Sequence, residues 1–351
     1  MQRTTRFFLG VALSCSCALP IAAQETPAPE ASPEPAMMKA VRVDEFGGLD
    51  AMRYEDAPRP EPGEDEILIR VMAAGVNPVD AALRSGKSAR MLGTKLPLIP
   101  GLDVAGFVEM SGANVTKFKP GDAVYACLSV RRAGGYAEFA IAKESEASLK
   151  PKGITFEGAA AMPVAAGSAW QALVDMAKVG AGQTVLIHGG SGGVGSFAIQ
   201  IAKARGAKVI ATASGGNQDF LKQLGADQTI DYNAQKFEEV VKEVDVVLDS
   251  VGGETLERSY GVVKKGGMIV SLVEPPDKAQ LEARGIRGMA MMATPDTNLL
   301  DELAKLIETK KLKPVVTKVY PLAEAAKAQE AIETGHTRGK IVLRVSDDPK
   351  G

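Results

Sequence analysis

The sequence predicts an α/β protein of two domains, in which a mostly antiparallel β domain is split around a doubly wound parallel sheet. Two patterns along the chain indicate this fold. Residues 38–164 consist of short strand-like segments separated by turns such as PRPEPGEDE and KPGDAV. From Gln183 onward, strand-like and helix-like segments alternate at the spacing of right-handed βαβ units. A length of 351 residues with 45% hydrophobic content allows a core in each domain.

Residues 1–23 have the layout of a secretory signal. Arg3 and Arg6 precede an apolar run from Phe7 to Ile21, and small residues follow it, so cleavage is expected after Ala23. The apolar run is too short to predict a membrane span. The mature chain is therefore expected to have no stable insertion in a membrane.

Residues 24–37 are rich in Pro, Ala and Glu and are expected to form an extended linker. The folded part begins near Met38. If the leader is genuine, the protein is periplasmic or secreted. The alternative is translation from Met37 or Met38, which would leave the protein in the cytoplasm.

Three segments follow the linker in order. Residues 38–164, with strands KAVRVDEF, EILIRVMAAGV and DVAGFVEM, form the first part of the β domain. Residues 165–290 form the parallel domain, with strands TVLIHG, AKVIATA, QTIDY, DVVLDSV and GGMIVSLV and helices SFAIQIAKARG, DFLKQLGA, FEEVVKEV and ETLERSYGVV. Residues 291–351, with helices LLDELAKLIET and LAEAAKAQEAIETG and strands KPVVTKVYP and GKIVLRV, are expected to return to the β domain.

The composition restricts the ligands of the protein. Forty-one basic and 43 acidic residues give a formal net charge of −2, which favours a small-molecule ligand and disfavours nucleic acid. The cysteines are Cys15, Cys17 and Cys127, and the histidines are His188 and His336. Removal of the leader would leave one cysteine, so neither an intrachain disulfide nor a closed structural zinc site can be assembled.

A glycine loop, GGSGGVG, follows the strand TVLIH and opens the next helix. Gly190, Gly192 and Gly195 have the G-x-G-x-x-G spacing of a Rossmann loop that binds a dinucleotide. The free N–H groups at the start of the helix would face the pyrophosphate. The loop residues predicted to bind the cofactor are Gly190, Ser191, Gly192, Gly193, Val194 and Gly195.

The end of the second parallel strand favours NADPH over NADH. Folds that bind NAD usually carry an acidic residue there, which binds the ribose 2′-hydroxyl. This chain has Ser214, followed by Gly215 and Gly216, and no carboxylate. The Ser214 hydroxyl and the two glycine amides could donate to a 2′-phosphate.

Two alternative active sites are disfavoured. GGSGG also fits the nucleophile elbow of a hydrolase, with Ser191, Asp249 and His336 in hydrolase order, but the additional glycines suit a phosphate loop better. Tyr260 and Lys264 imitate the Tyr-x-x-x-Lys pair of short-chain dehydrogenases, but they follow the loop too closely.

Further motifs carry a family resemblance. GVNPVD, PLIPGLDVAGFVE, GDAVYA, GGYAEFAIA, AAAMPVAAGSAWQAL and RGKIVL stand in this order around the glycine loop. With them the chain resembles the medium-chain dehydrogenase/reductase superfamily, and within it the zinc-free quinone oxidoreductase branch, from Met38 to Val345. The resemblance implies a GroES-like substrate domain split around a Rossmann domain, a nicotinamide cleft between them and, commonly, a homodimer.

The resemblance also implies the chemistry. Zinc-dependent members carry a Cys and a Gly-His-Glu where this chain has Val76 and Gly101-Leu102-Asp103, so no zinc is expected. The expected reaction is hydride transfer from NADPH to a small electrophilic substrate, a quinone or an α,β-unsaturated carbonyl. Two alternatives stay open, an enoyl-thioester reductase of the same fold and a non-catalytic NADPH-binding redox sensor. The tyrosine that serves the substrate in several relatives is missing from SGKSARM, which disfavours the thioester.

Site residues follow from the resemblance. It implies that Asn77 positions the nicotinamide or the substrate carbonyl. It also implies that Ser168 contacts the carboxamide side of the cofactor and that Tyr232 lies at the edge of the adenosine. Asn217 stands where relatives often have a cofactor-binding Lys, and Ser271 to Val273 would flank the nicotinamide. Outside the glycine loop, the predicted cofactor contacts are Ser168, Ser214, Asn217, Tyr232, Ser271, Leu272, Val273, Arg338 and Lys340.

Overall fold

The computed structural model describes residues 1–2, 4–10, 12 and 36–347. The described residues of the leader have no regular secondary structure and are exposed. The rest of the predicted signal sequence, including its cleavage site, and residues 24–35 of the predicted linker lie outside the described residues. No helix in the described part of the chain is both long enough and apolar enough to cross a membrane.

The β domain forms two sheets. Long buried stretches rich in β-branched residues favour its strands, and β3 is almost entirely buried over eleven residues. The strands are β1 Met37–Val43, β2 Met52–Pro58, β3 Glu66–Val76, β4 Asp103–Ser111, β5 Ala123–Cys127, β6 Phe139–Lys143 and β7 Ala147–Leu149. The helices are α1 Pro78–Arg84, α2 Ala89–Leu92, α3 Phe156–Ala160 and α4 Pro163–Trp170, which continues as a π-helix over Gln171–Met176. Strands β1 and β2 pair with each other, and the others belong to the larger sheet.

The second domain is a parallel sheet with helices between its strands. The strands are β8 Thr184–Ile187, β9 Lys208–Ala213, β10 Gln228–Asp231, β11 Val244–Asp249, β12 Val263–Ser271 and β13 Arg287–Ala290. The helices are α5 Gly193–Ala204, α6 Gln218–Gln223, α7 Phe237–Val240, α8 Gly253–Ser259 and α9 Lys278–Arg284. The spatial order is β10-β9-β8-β11-β12-β13. This is the Rossmann order, and its direction reverses between β8 and β11, where such folds bind their ligand.

The last segment of the chain returns to the first domain. Its elements are α10 Thr297–Glu308, β14 Val316–Pro321, α11 Ala325–Glu333 and β15 Lys340–Arg344. Strand β15 runs antiparallel to β3, with Ile341 opposite Val76, and parallel to β14. The larger sheet therefore has the order β14-β15-β3-β4-β5-β7, with β6 also on β3. The predicted fold class is confirmed, while the residue numbers given for the domain boundaries stay predictions.

The two domains share a core. One cluster of buried side chains joins Ala73 and Tyr125 of the larger β sheet to Phe197 and Val246 of the Rossmann domain. The Tyr125 hydroxyl also donates to Leu300 O, in α10, at 2.6 Å. A shared core of this kind fixes the position of the glycine loop relative to the substrate domain.

After Gln183, the sequence analysis missed two elements, α9 and β13, and made α7 too long. Helix α9 has a good N-cap, since the Asp277 side chain accepts from Gln280 N, and it ends at Gly285 with φ +61°. It buries none of its residues, however, so it has no apolar periodicity. Strand β13 is mostly exposed and lacks the alternation of a half-buried strand. Helix α7 ends at Val240, since Val241 is already extended and buried.

Candidate active site

The glycine loop joins β8 to α5 at the point where the strand order reverses. Gly189 has φ +67°, which favours glycine, and Gly190 N–H donates to Thr212 O at 2.9 Å. A β-carbon on Gly195 would lie 2.2 Å from Gly189 O and 2.7 Å from Gly190 Cα. Helix α5 can therefore pack this closely against the loop only with glycine at position 195.

The start of α5 fits the phosphates of a dinucleotide. Its N-cap, Gly192, is extended and makes no side-chain hydrogen bond to the first turn. The first N–H groups of a helix have no partner within the helix, and they carry the positive end of its dipole. The N–H groups of Gly193, Val194 and Gly195 are thus available to an anion, as the spacing predicts.

The returning strand passes beside this loop. Gly339 N–H donates to Ser191 O at 2.8 Å. The Arg338 guanidinium is exposed and lies 4.1 Å from the ring centroid of Phe220, in α6. Arg338 thus lies next to the loop, and its contact with the cofactor stays a prediction.

The residues predicted to bind the adenosine end of the cofactor lie at the carboxyl ends of β9 and β10. Asn217 Nδ2 donates to Ser214 Oγ at 3.0 Å, so the Ser214 hydroxyl proton remains free for another acceptor. Gly215 and Gly216 are exposed. Tyr232 is 51% exposed, and its N–H donates to Ala213 O at 3.3 Å.

One acidic residue at this end was missed by the sequence analysis. Asp231 ends β10, opposite Ala213 of β9, and its Oδ2 lies 2.6 Å from where a β-carbon on Gly215 would be. Its Oδ1 accepts from Asn233 N. The sequence analysis considered only the end of β9, but parallel strands end at the same edge, so β10 brings a carboxylate beside the proposed 2′-phosphate donors. The sequence signal was the aspartate just before the last residue of the predicted strand QTIDY.

The strand ends predicted to flank the nicotinamide are organised by the buried carboxylate of Asp249, at the end of β11. Its Oδ1 accepts from Val251 N and Gly252 N, each at 3.0 Å. Its Oδ2 accepts from Ser271 Oγ at 2.8 Å, and this hydroxyl in turn accepts from Val273 N at 3.2 Å. Leu272, the remaining predicted residue of this strand end, donates its N–H to the Asp249 carbonyl at 2.9 Å. Asp249 thus fixes the two loops on this side of the candidate cleft.

On the substrate domain, Asn77 is buried and caps α1. Its N–H donates to Asp80 Oδ2 at 2.8 Å, and its Nδ2 donates to Asp103 Oδ2 at 2.9 Å. Its Oδ1 accepts from Lys340 Nζ at 2.5 Å. Asp103 Oδ1 accepts from Val164 N at 2.8 Å, which connects this cluster to α4.

Two predicted cofactor contacts have other partners in the structure. Lys340 is 3% exposed, and its ammonium donates to Val76 O and Asn77 Oδ1. These bonds use two of the three N–H donors of the ammonium within the substrate domain, and its approach to the cofactor stays a prediction. Ser168, in α4, donates to Val164 O at 2.7 Å, and its contact with the carboxamide stays a prediction.

The cluster around Asn77 holds two buried carboxyl groups. Burial raises the pKa of Asp80 to about 7, against hydrogen bonds from Asn77 N–H and the Tyr136 hydroxyl that lower it. Burial also raises the pKa of Asp103 to about 6, against the charge of Lys340. Within the described residues, Asp80 Oδ1 has no hydrogen-bond partner, whereas Oδ2 has two. The oxygen without a donor leaves the ionised form of Asp80 with less hydrogen-bond support, which agrees with the direction of its pKa shift.

An Asp80→Asn variant tests this protonation. With a folded pKa of about 7 and an unfolded value near 3.9, wild-type Asp80 binds a proton only in the folded state between these pH values, so its contribution to stability falls as pH rises. Asparagine does not titrate. We expect the unfolding midpoint of the variant, relative to wild type, to increase by about 4 °C from pH 5 to pH 8 in thermal melts.

The exposed Asp50 provides the control, since Asp50→Asn should give no such drift with pH. Both proteins of each pair contain His188, whose pKa burial lowers to about 4, so its titration cancels in the comparison. A difference between Asp80→Asn and wild type that stays constant from pH 5 to pH 8 would contradict a protonated Asp80.

The alternative active sites are not assembled. Asp249 is held by backbone N–H groups and Ser271, and His336 is exposed, with its Nδ1 bonded to Thr334 O at 2.6 Å. The Tyr260 hydroxyl accepts from Asp277 N at 2.6 Å, and Lys264 forms an ion pair with Asp245. The partners that a hydrolase or a short-chain dehydrogenase would need are thus engaged elsewhere.

Two family models match the chain. Residues 63–152 match the one described as alcohol dehydrogenase GroES-like domain, and residues 224–343 match the one described as zinc-binding dehydrogenase. Across the described part of the chain, no three His, Cys, Asp or Glu side chains form a group that could hold a metal ion.

Relatives match over most of the chain. The chloroplastic NADPH-dependent alkenal/one oxidoreductase of Arabidopsis thaliana is 38% identical over 323 residues, which cover 88% of this chain and 80% of that protein. The quinone oxidoreductase of Sus scrofa is 35% identical over 326 residues, which cover 88% of this chain and 98% of the relative. The solved structure of the quinone oxidoreductase from Coxiella burnetii has a TM-score of 0.82 at 35% identity, covering 89% of this chain and 100% of that one.

The fold and the glycine loop, together with these relatives, define an enzyme of the oxidoreductase class. Both halves of the fold match, and the identity extends over nearly nine-tenths of the chain. The chain belongs to the medium-chain dehydrogenase/reductase superfamily, in its quinone oxidoreductase-like branch.

Proposed function

We propose that the protein is an NADPH-dependent, zinc-independent reductase that delivers hydride to a quinone or an α,β-unsaturated carbonyl. The observation that carries this proposal is the uncapped start of α5, joined through Gly339 and Lys340 to the buried Asn77 of the substrate domain. The relatives named for alkenal, enone and quinone reduction support the substrate class.

In this mechanism each part of the chain positions the reactants. The N–H groups at the start of α5 would hold the phosphates, and the loops fixed by Asp249 would border the nicotinamide. When bound, the cofactor supplies the hydride from its nicotinamide ring. Asn77, in the substrate domain, would use its side-chain amide to position the nicotinamide or the substrate carbonyl. Water would supply the proton that completes the reduction.

The side chains at the positions of the family's zinc ligands support zinc independence. The side chains of Val76 and Leu102 have no lone pair to donate to a metal. Asp103, the remaining position, accepts hydrogen bonds from Asn77 and Val164 and lies 3.9 Å from the Lys340 ammonium. Metal analysis of active protein after dialysis against a chelator tests this point, because stoichiometric retained zinc would contradict it.

The proposed activity is tested by following the consumption of NADPH with quinones, enones and an enoyl thioester. We expect turnover with the first two classes and little with the thioester. Turnover of the thioester alone would favour the enoyl reductase instead. Quenching of cofactor fluorescence without consumption across the panel would favour a redox sensor. Ser191→Ala is expected to keep most of the activity, whereas a hydrolase would lose it.

We expect Asp231 to limit the preference for NADPH. Its carboxylate adjoins Gly215, whose N–H is a proposed donor to the 2′-phosphate, so the two negative charges repel each other. Replacing Asp231 with asparagine should tighten the Kd for NADPH by about fivefold and leave that for NADH nearly unchanged, measured by cofactor fluorescence. The exposed Asp219, in α6, gives a control, since Asp219→Asn should change neither constant. Equal changes for both cofactors would show that the carboxylate does not sense the 2′-phosphate.

We also propose a homodimer, as is common in the family. Within the described strands, β13 ends the Rossmann sheet with one edge unpaired, and Met289 and Met292 are exposed beside it. The molar mass from light scattering tests this, and a monomer at micromolar concentration would contradict it.

Export is proposed from the leader sequence. Mass spectrometry of the native amino terminus tests it, since a mature start at Gln24 would support removal of the leader. A start at Met37 or Met38 would contradict export and support the cytoplasm.

A further inference from the structure

The dipeptide Gly339-Lys340, at the start of β15, contacts both halves of the candidate active site. Its Gly339 N–H donates to Ser191 O in the glycine loop at 2.8 Å. The Lys340 ammonium donates to Val76 O at 2.9 Å and to Asn77 Oδ1 at 2.5 Å. The strand therefore holds the cofactor loop with its backbone and the substrate domain with a side chain.

The local geometry leaves little freedom to this arrangement. Gly339 has φ +59°, and a β-carbon there would lie 2.5 Å from Val315 O. A β-carbon on Gly193 would lie 3.0 Å from Lys340 Cδ. The lysine stem thus passes directly against the glycine loop on its way to Asn77.

The two partners of the Asn77 side chain determine which way its amide points. An ammonium group can only donate, so the atom that faces Lys340 is the oxygen. An ionised carboxylate can only accept, so the atom that faces Asp103 is the nitrogen. A flipped amide would place donor against donor and acceptor against acceptor. The orientation leaves the second N–H of Nδ2 as a donor of fixed direction.

Lys340 and Asp103 are both buried, and their charged atoms lie 3.9 Å apart. Taking two charges out of water is costly, and such pairs add little to stability, although they can select one arrangement of a buried site. The presence of this pair beside Asn77 is therefore better explained by the geometry of the site than by a contribution to stability.

We propose that Lys340 is a positioning residue, which fixes the amide of Asn77 and links its position to that of the cofactor loop. The proposal rests on the proposed function in assuming that Asn77 lies at the nicotinamide or the substrate. Lys340 itself need not touch the cofactor.

A double-mutant cycle of Lys340→Met and Asn77→Ala tests the proposal. Methionine keeps the length of the stem and removes the ammonium. In the Asn77 background, we expect Lys340→Met to lower kcat by about tenfold while the Kd for NADPH changes by less than about threefold. In the Asn77→Ala background, the same substitution should change kcat by less than about twofold, because its target is gone.

The fluorescence emission of bound NADPH gives a second readout that needs no turnover. Lys340→Met and Asn77→Ala should each change this emission by the same amount. The double variant should show the same change and no larger one. Lys318→Met, an exposed lysine on the neighbouring β14, is the matched control and should resemble wild type. Lys340→Met leaves Asp103 without its cation, so Lys340→Met/Asp103→Asn provides a charge-balanced variant if the single one folds poorly.

Equal effects of Lys340→Met in both backgrounds, on kcat and on emission, would overturn the proposal. The proposal would also be overturned if Lys340→Met had the kcat of wild type and a lowered unfolding midpoint, because the lysine would then be purely structural. If wild-type protein binds NADPH but reduces no acceptor, the proposed function fails, and the emission cycle still tests Lys340. If it binds no NADPH, the same cycle on unfolding midpoints tests the contact with Asn77.

Discussion

A Gly195→Ala variant is expected to bind NADPH roughly 100-fold more weakly than the wild-type protein. The added β-carbon would lie 2.2 Å from Gly189 O and 2.7 Å from Gly190 Cα. Both atoms belong to the backbone, so the contact can be relieved only by moving α5 away from the loop. That movement would take the N–H groups at the start of the helix away from the phosphates. Isothermal titration with NADPH measures the effect.

Gly180→Ala is the matched control, because a β-carbon there meets nothing closer than Gln183 Oε1, at 4.0 Å. It should bind NADPH like wild type. Circular dichroism should show that Gly195→Ala keeps its secondary structure. An unchanged Kd in a folded Gly195→Ala protein would contradict the assignment of this loop to the cofactor.

Replacing Asp249 with alanine is expected to lower the free energy of unfolding by about 4 kcal/mol. The substitution removes the acceptor of Val251 N, Gly252 N and Ser271 Oγ at a fully buried position. Unpaired buried donors are costly, and here they belong to the two loops beside the proposed nicotinamide site. Urea unfolding measures the loss.

Asp249→Asn keeps the size of the side chain and one acceptor oxygen, and it removes the charge. Its amide oxygen can still accept from the backbone N–H groups, so we expect a loss of only about 1 kcal/mol. Asp249→Ala should also weaken NADPH binding more than Asp249→Asn does. Equal losses of stability in the two variants would contradict the role given to these hydrogen bonds.

Much of the fold was readable from local pattern. The segment EILIRVMAAGV predicts β3 to the residue, and the alternation after Gln183 predicts the parallel sheet apart from its last strand. Helix α9 was not predicted because it buries none of its residues. The amphipathic signal that identifies a helix from sequence arises from burial, so a fully exposed helix does not produce it.

Sequence spacing likewise predicted one part of the candidate site and not another. Spacing alone identified the glycine loop, because a tight turn and close packing require glycine at fixed intervals. Spacing could not show that Asp231 reaches Gly215, because their strands are adjacent only in the folded sheet. Nor could it show that Lys340 turns towards Asn77, which lies 263 residues earlier in the chain.

The sequence by itself predicted the fold class and the glycine loop from residue types at short, fixed separations, and the order of its motifs gave the resemblance to the family. Only the tertiary structure decided which groups surround Asn77 and which carboxylate lies near the proposed 2′-phosphate site. Those contacts depend on the return of β15 to β3 and on the register of neighbouring strands. The physical reason is that hydrogen bonds and charges act over a few ångströms of space, whatever the separation along the chain.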